Sequence, residues 1–120
     1  MNSLQQIIKF IILLVGFDAI YIYFMANYFN TQIRMIQGSP IVLFNQKMIV
    51  GSAVTYILLA FALYHFVSSP RNAFLLGIYM YGMYEMTNYA VFNKWALQTA
   101  LMDMLWGGTL FFLVYKMNSL

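Results

Sequence analysis

Four long stretches of this chain carry almost no charge, and that narrows its folds more than any other feature. From Phe10 to Ile33 the only charged residue is Asp18, and from Met48 to Pro70 there is none. Asn72 to Asn93 holds only Glu85, and Trp95 to Tyr115 holds only Asp103. A soluble helix needs a polar face for water, whereas these stretches are apolar around the whole helical circumference, the pattern that lipid tolerates. Composition agrees, with 63% apolar and 8% charged residues against a soluble norm of roughly a quarter charged. The sequence therefore predicts an all-α integral membrane protein.

A span needs about 20 residues to cross roughly 30 Å of hydrocarbon at about 1.5 Å per residue. Four segments qualify: Ile7–Tyr28, Met48–Val67, Ala73–Phe92 and Ala96–Tyr115. They predict a four-helix bundle in a single membrane domain over residues 1–120, without repeats. Lys9 before the run Phe10–Phe17 resembles a secretory leader. The run continues through Asp18, Tyr21, Tyr23 and Phe24 without a small-residue cleavage site, so an uncleaved first span is expected. Tyr28, Trp95 and Tyr115 fall at span ends and suit the interfacial aromatic belt.

The connections differ in length. Ser68–Asn72, with Pro70, is a short polar turn, and Asn93–Trp95 is tighter still, so spans two and three, and three and four, should form antiparallel hairpins. Phe29–Lys47 is longer. Phe29, Ile33 and Ile36 recur at helical spacing beside Asn30, Gln32, Arg34 and Gln37, ahead of a Gly38-Ser39-Pro40 break. Two readings stay open, a short amphipathic helix in the headgroup plane or an ordinary polar loop. Four spans would put both termini on one side. Lys9, Arg71 and Lys116 then face Arg34, Lys47 and Lys94, so the positive-inside rule gives no orientation.

The three acids need an explanation, because a charged carboxyl at mid-bilayer costs about 2.5–3.5 kcal/mol on insertion scales. Glu85 lies nine residues before Lys94 and Asp103 nine after it. An antiparallel pair sets both about 13 Å from the turn. Asp18 falls within roughly one helical turn of that level. Gly77, Tyr81, Glu85 and Asn88 share one face of the third helix, and Thr99, Asp103, Trp106 and Gly107 share one of the fourth. The candidate intramembrane site is Asp18, Glu85, Asp103, Asn88, Thr87, Tyr84, Tyr81, Tyr21 and Trp106, with Ser52 and Tyr56 as the second helix's contribution. With no cation at that depth, the three carboxyls cannot all stay ionised unless a cation or a cationic ligand joins them.

Several classes recede on composition. There is no cysteine for thiolate, disulfide or cysteine–metal chemistry, no conventional metal motif and no nucleophile elbow, so an enzyme is the weakest reading and no catalytic residue or cofactor is assigned. The six cations are scattered and form no nucleic-acid stripe. His65, at the end of the second span, reads as an interfacial hydrogen-bonding residue. Two functions compete. One is a transporter or channel for a proton, an ion or a small cationic solute, working as a homo-oligomer because one copy offers little room for a pathway. The other is a structural or accessory membrane protein, bound to partner subunits, whose polar interior only holds the helices together.

The residues Tyr84-Glu85-Met86-Thr87-Asn88, then Lys94-Trp95, then Asp103-Met104-Leu105-Trp106-Gly107 resemble a family of small membrane proteins, domain of unknown function 2177. Asp18 and the Tyr56–Pro70 stretch fall in similar places. The resemblance covers most of the chain and implies a four-helix membrane fold without an activity. Glu85 stands where that family usually has aspartate, and Tyr21 where it usually has tryptophan. Both keep the chemical type.

Overall fold

A computed structural model describes residues 2–39 and 45–120. Among them the fold is helical throughout, with five helices: α1 Ser3–Phe24, α2 Ala26–Gln37, α3 Gln46–Phe66, α4 Pro70–Val91 and α5 Leu97–Asn118. Three of these, α1, α3 and α5, are long and apolar enough to cross a membrane by length and composition. The expectation of four apolar spans is thus met by three. α4 has the length, at 22 residues, but exposes Tyr79, Met83, Tyr84 and Met86 in place of aliphatic side chains, and carries Glu85, Thr87 and Asn88 along its second half.

Local chemistry explains where the helices begin and end. Asn2 accepts from the Gln5 amide at 2.8 Å and donates its own amide to Gln5 Oε1 at 3.1 Å. This reciprocal cap draws α1 back to Ser3, a turn before the expected Ile7. Tyr28, expected to end the first span, lies instead in α2, because the backbone bends at Met25 (φ −104°, ψ 9°). The bend is a kink, not a loop: Met25 N still donates to Tyr21 O, and Phe29 N to Met25 O, both at 3.0 Å.

The open segment after the first span therefore contains a helix, α2. It stops at Gly38, whose φ of 78° is the left-handed conformation that favours glycine and whose amide returns to Arg34 O. Pro40, the last residue of the expected break, lies outside the described residues. Asn45 caps α3 through the Met48 amide at 2.7 Å. Ser69 caps α4, with Pro70 in the first helical turn where its missing N–H removes no helix bond. Arg71 and Asn72, expected in the turn, are consequently helical.

α1 packs against α3 and α5, and α5 packs extensively against α4. The last contact is backbone to backbone: a Cβ built on Gly77 would sit 2.1 Å from Gly107 O. α3 and α4, joined by the short turn expected between spans two and three, pack less closely than this and leave a cleft between them. The chain termini meet at one end of the bundle, where Lys9 Nζ donates to the Asn118 and Leu120 carbonyls and Asn118 donates to Gln6 O. The apolar core, including Phe10, Leu14, Leu63, Phe111 and Val114, fills that half. The acids occupy the other.

Outward faces are apolar. Ile12, Ile20 and Ile22 on α1, Val50, Val54 and Leu58 on α3, and Leu101 and Leu105 on α5 are all exposed. Water would oppose an apolar band of that extent, and a bilayer accommodates it.

Candidate functional site

Each acid is brought inward by the helical face on which it stands, and each is held by an aromatic donor. Asp18, in the second half of α1, is 9% exposed. One of its carboxyl oxygens accepts from Trp106 Nε1 of α5 at 2.9 Å, and the other accepts from the Tyr56 hydroxyl of α3 at 2.5 Å. One turn along α1, Tyr21 donates to Asp103 Oδ1 of α5 at 2.7 Å. Its ring stacks on Trp106 with centroids 4.5 Å apart and planes within 4°. Stacking and hydrogen bonding together fix the two rings between Asp18 and Asp103.

Glu85 is 4% exposed. Its carboxyl lies within hydrogen-bonding reach of Asp103, as level placement across the α4–α5 turn requires. It accepts from Trp95 Nε1 at 2.9 Å. The arrangement runs as a chain across the bundle: Tyr56, Asp18, the Trp106–Tyr21 stack, Asp103, Glu85, Trp95. Glu85 and Asp103 form the close pair, and Asp18 joins through the stacked rings. Among the described residues no group of three acids or histidines could hold a metal ion, so the acids do not converge on one point.

The other candidate residues divide. Tyr81 faces inward, its ring lying against Gly107, where an added Cβ would come within 2.3 Å of it, and edge-on to Phe111. Asn88 is half-buried on the same face as Glu85. Thr87 and Tyr84 are not brought to the acids. Thr87 is exposed and returns its hydroxyl to Met83 O at 2.6 Å, and Tyr84 is exposed on the outer lip of the α3–α4 cleft. They lie one and two residues from Glu85 in sequence, and a step of that size rotates a helical side chain off the face.

Two further residues take part. Trp95, whose position suits the interfacial belt, bonds Glu85 through its indole. Gln32, by sequence a polar position of an amphipathic segment, faces inward. It is 6% exposed and binds the α4–α5 turn, donating to Lys94 O at 2.5 Å and accepting from the Ala96 amide at 3.1 Å and the Thr99 hydroxyl at 3.0 Å. Thr99 also bonds Tyr28 at 2.7 Å. α2 is therefore fastened over the end of the bundle above the acid layer. The counting that levels Glu85 with Asp103 also places Tyr56, nine residues after Lys47.

A cavity of about 340 Å³ opens beside Asp18, lined by Lys47, Gly51, Ser52, Thr55 and Tyr56 of α3 and Tyr81 of α4. Asp18 is the only acid on its wall. The donors that reach the three carboxyls are two phenols and two indoles, all neutral, so the layer keeps the capacity to accept a positive charge.

Lipid-facing aliphatic residues around a layer of aromatic-held acids define an α-helical membrane protein with a polar interior. The chain belongs to the family described as predicted membrane protein, DUF2177, which it matches over residues 3–117. Neither the curated proteins nor the solved structures include a match to it.

Proposed function

We propose that this is a multi-pass membrane protein in which α1, α3, α4 and α5 each cross the bilayer and α2 lies in the headgroup plane, with both termini on one side. On this reading the layer of Asp18, Asp103 and Glu85 binds a proton or a small cation, and passage of a proton, an ion or a cationic solute through the layer is its activity. The observation that carries the reading is the cavity beside Asp18, a space with hydroxyls on its wall that reaches a buried carboxyl whose hydrogen-bond donors are neutral. A pathway through 14.0 kDa of protein calls for a homo-oligomer. α4 counts as a span on this reading because its backbone lies against that of α5 and its one acid faces inward.

The test is reconstitution in liposomes with an internal pH dye and an imposed cation gradient. A proton-linked signal lost in Glu85→Gln and Asp18→Asn supports the reading. Flux that persists with all three acids amidated overturns it. A second reading, a structural protein assembling with membrane partners, is favoured by the aromatic donor on every acid. It predicts that the amidated proteins unfold earlier in detergent while the wild type shows no flux.

A further inference from the structure

The cavity beside Asp18 is one of two adjoining spaces, and the second has a different character. Between α3 and α4 lies a cleft of about 440 Å³ lined by Thr55, Leu58, Leu59, Met80, Tyr81 and Tyr84. Thr55 and Tyr81 line both spaces, so they meet there. Each falls within the roughly 300–1,000 Å³ of small-molecule sites. The cleft is apolar along Leu58, Leu59 and Met80, and exposed Leu58 and Tyr84 leave it open at the outer surface of the bundle. The space beside Asp18 is more mixed: a carboxyl and the hydroxyls of Ser52, Thr55 and Tyr56 share its wall with Lys47, Met48 and Gly51.

From this geometry we infer that the paired spaces take a single-tailed cationic amphiphile, an alkylammonium whose head sits at Asp18 and whose tail lies along Leu58, Leu59 and Met80. The inference deepens the reading of the acid layer as a cation site and rests on it. Charge selects the head. Asp18 is the only acid on that wall, and its two donors, Tyr56 and Trp106, are neutral, so an ammonium meets a carboxyl held by neutral groups while an anionic head is repelled. Lys47 is the other charged residue on the wall, and its backbone is offset from that of Tyr56 by nine residues, about 13 Å along the α3 axis. The head is placed at the Tyr56 end, against Asp18. The tail is selected by the cleft, which faces the lipid from which such a molecule would enter.

The experiment uses the full chain in phosphatidylcholine nanodiscs and a dodecylammonium probe with a photoactivatable diazirine in its tail. Peptide mapping should find the label on α3 around Leu58 and on α4 around Met80. Asp18→Asn should cut labelling about tenfold, the scale of one lost charge-assisted contact. Thr55→Trp, which fills the junction and touches no acid, should do the same, and it keeps the test decisive if Asp18→Asn fails to fold. A dodecanol probe with the same diazirine should label weakly and respond to neither change. Equal labelling by the uncharged probe makes the cleft an ordinary lipid crevice and overturns the inference. So does dodecylammonium labelling that Asp18→Asn leaves unchanged in folded protein. Tetramethylammonium binding, followed by dialysis of the same nanodiscs, separates the two levels. If it depends on Asp18 while tailed labelling does not, the amphiphile fails and the cation site stands; if neither depends on Asp18, both fail.

Discussion

The α4–α5 and α3–α4 pairs are both neighbours in sequence joined by a short connection, and they pack in opposite ways. α4 and α5 approach until Gly77 lies against the Gly107 carbonyl. α3 and α4 stand apart around a cleft. The connection is therefore not what decides packing. Small residues on the facing surfaces do: Gly77, Gly107 and Gly108 remove the side chains that would hold α4 and α5 apart. α3 turns its own glycine, Gly51, toward a cavity wall. The contrast puts the tight contact in one pair and open space in the other, and it can be broken by substitution.

The largest effect is expected at Gly77. A Cβ there would lie 2.1 Å from Gly107 O and 2.6 Å from Gly107 C, and both are backbone atoms that can yield only if the helices separate. Gly77→Ala should cost about 3 kcal/mol or more, read as an earlier thermal unfolding midpoint in detergent. An unchanged midpoint would mean that the α4–α5 contact does not hold the bundle together.

Next comes Gln32, which fastens α2 to the α4–α5 turn. Gln32→Leu leaves the Lys94 carbonyl, the Ala96 amide and one bond of the Thr99 hydroxyl without that partner. A loss of about 1–3 kcal/mol follows, together with faster hydrogen exchange at Ala96. Exchange at Ala96 that stays slow would show that the turn is held by α4 and α5 alone. Trp106→Phe should cost less, about 0.6–2 kcal/mol. It removes one donor from Asp18, and a phenyl ring can still stack on Tyr21. A spectroscopic change at Tyr21 without any stability change would mark the Trp106 bond as dispensable to the fold.

Much of this was legible in sequence because it depends on periodicity and counting. Long apolar runs with at most one charge in their interior identify α1, α3 and α5, and equal distances from Lys94 place Glu85 beside Asp103. What escaped depends on side-chain direction. Thr87 and Tyr84 flank Glu85 in sequence and face away from it, as their angular positions on α4 require. Trp95 satisfies the interfacial rule by position, yet its indole is long enough to reach Glu85 from the turn. Gln32 lies in an amphipathic helix whose docked face includes a polar anchor, and polarity alone reads that residue as solvent-facing. The open α3–α4 cleft was likewise hidden, because a short turn constrains where two helices start and not how closely their bodies meet.

The smallest effect tests the other half of the comparison. A Cβ on Gly51 would meet nothing within 4 Å, although Gly51 lies inside α3 and on the cavity wall. A glycine in a helix interior costs about 0.5–1 kcal/mol relative to alanine. With free space at the position, Gly51→Ala should leave stability unchanged or raise it by up to about 1 kcal/mol. Since the methyl group enters the space that Lys47 and Ser52 also line, it should do so while slightly narrowing that cavity. A clear loss of stability would mean that α3 is tightly covered here in the membrane. The cavity beside Asp18 would then be closed by a second copy or another partner, and this side of α3 would be open only in the isolated chain.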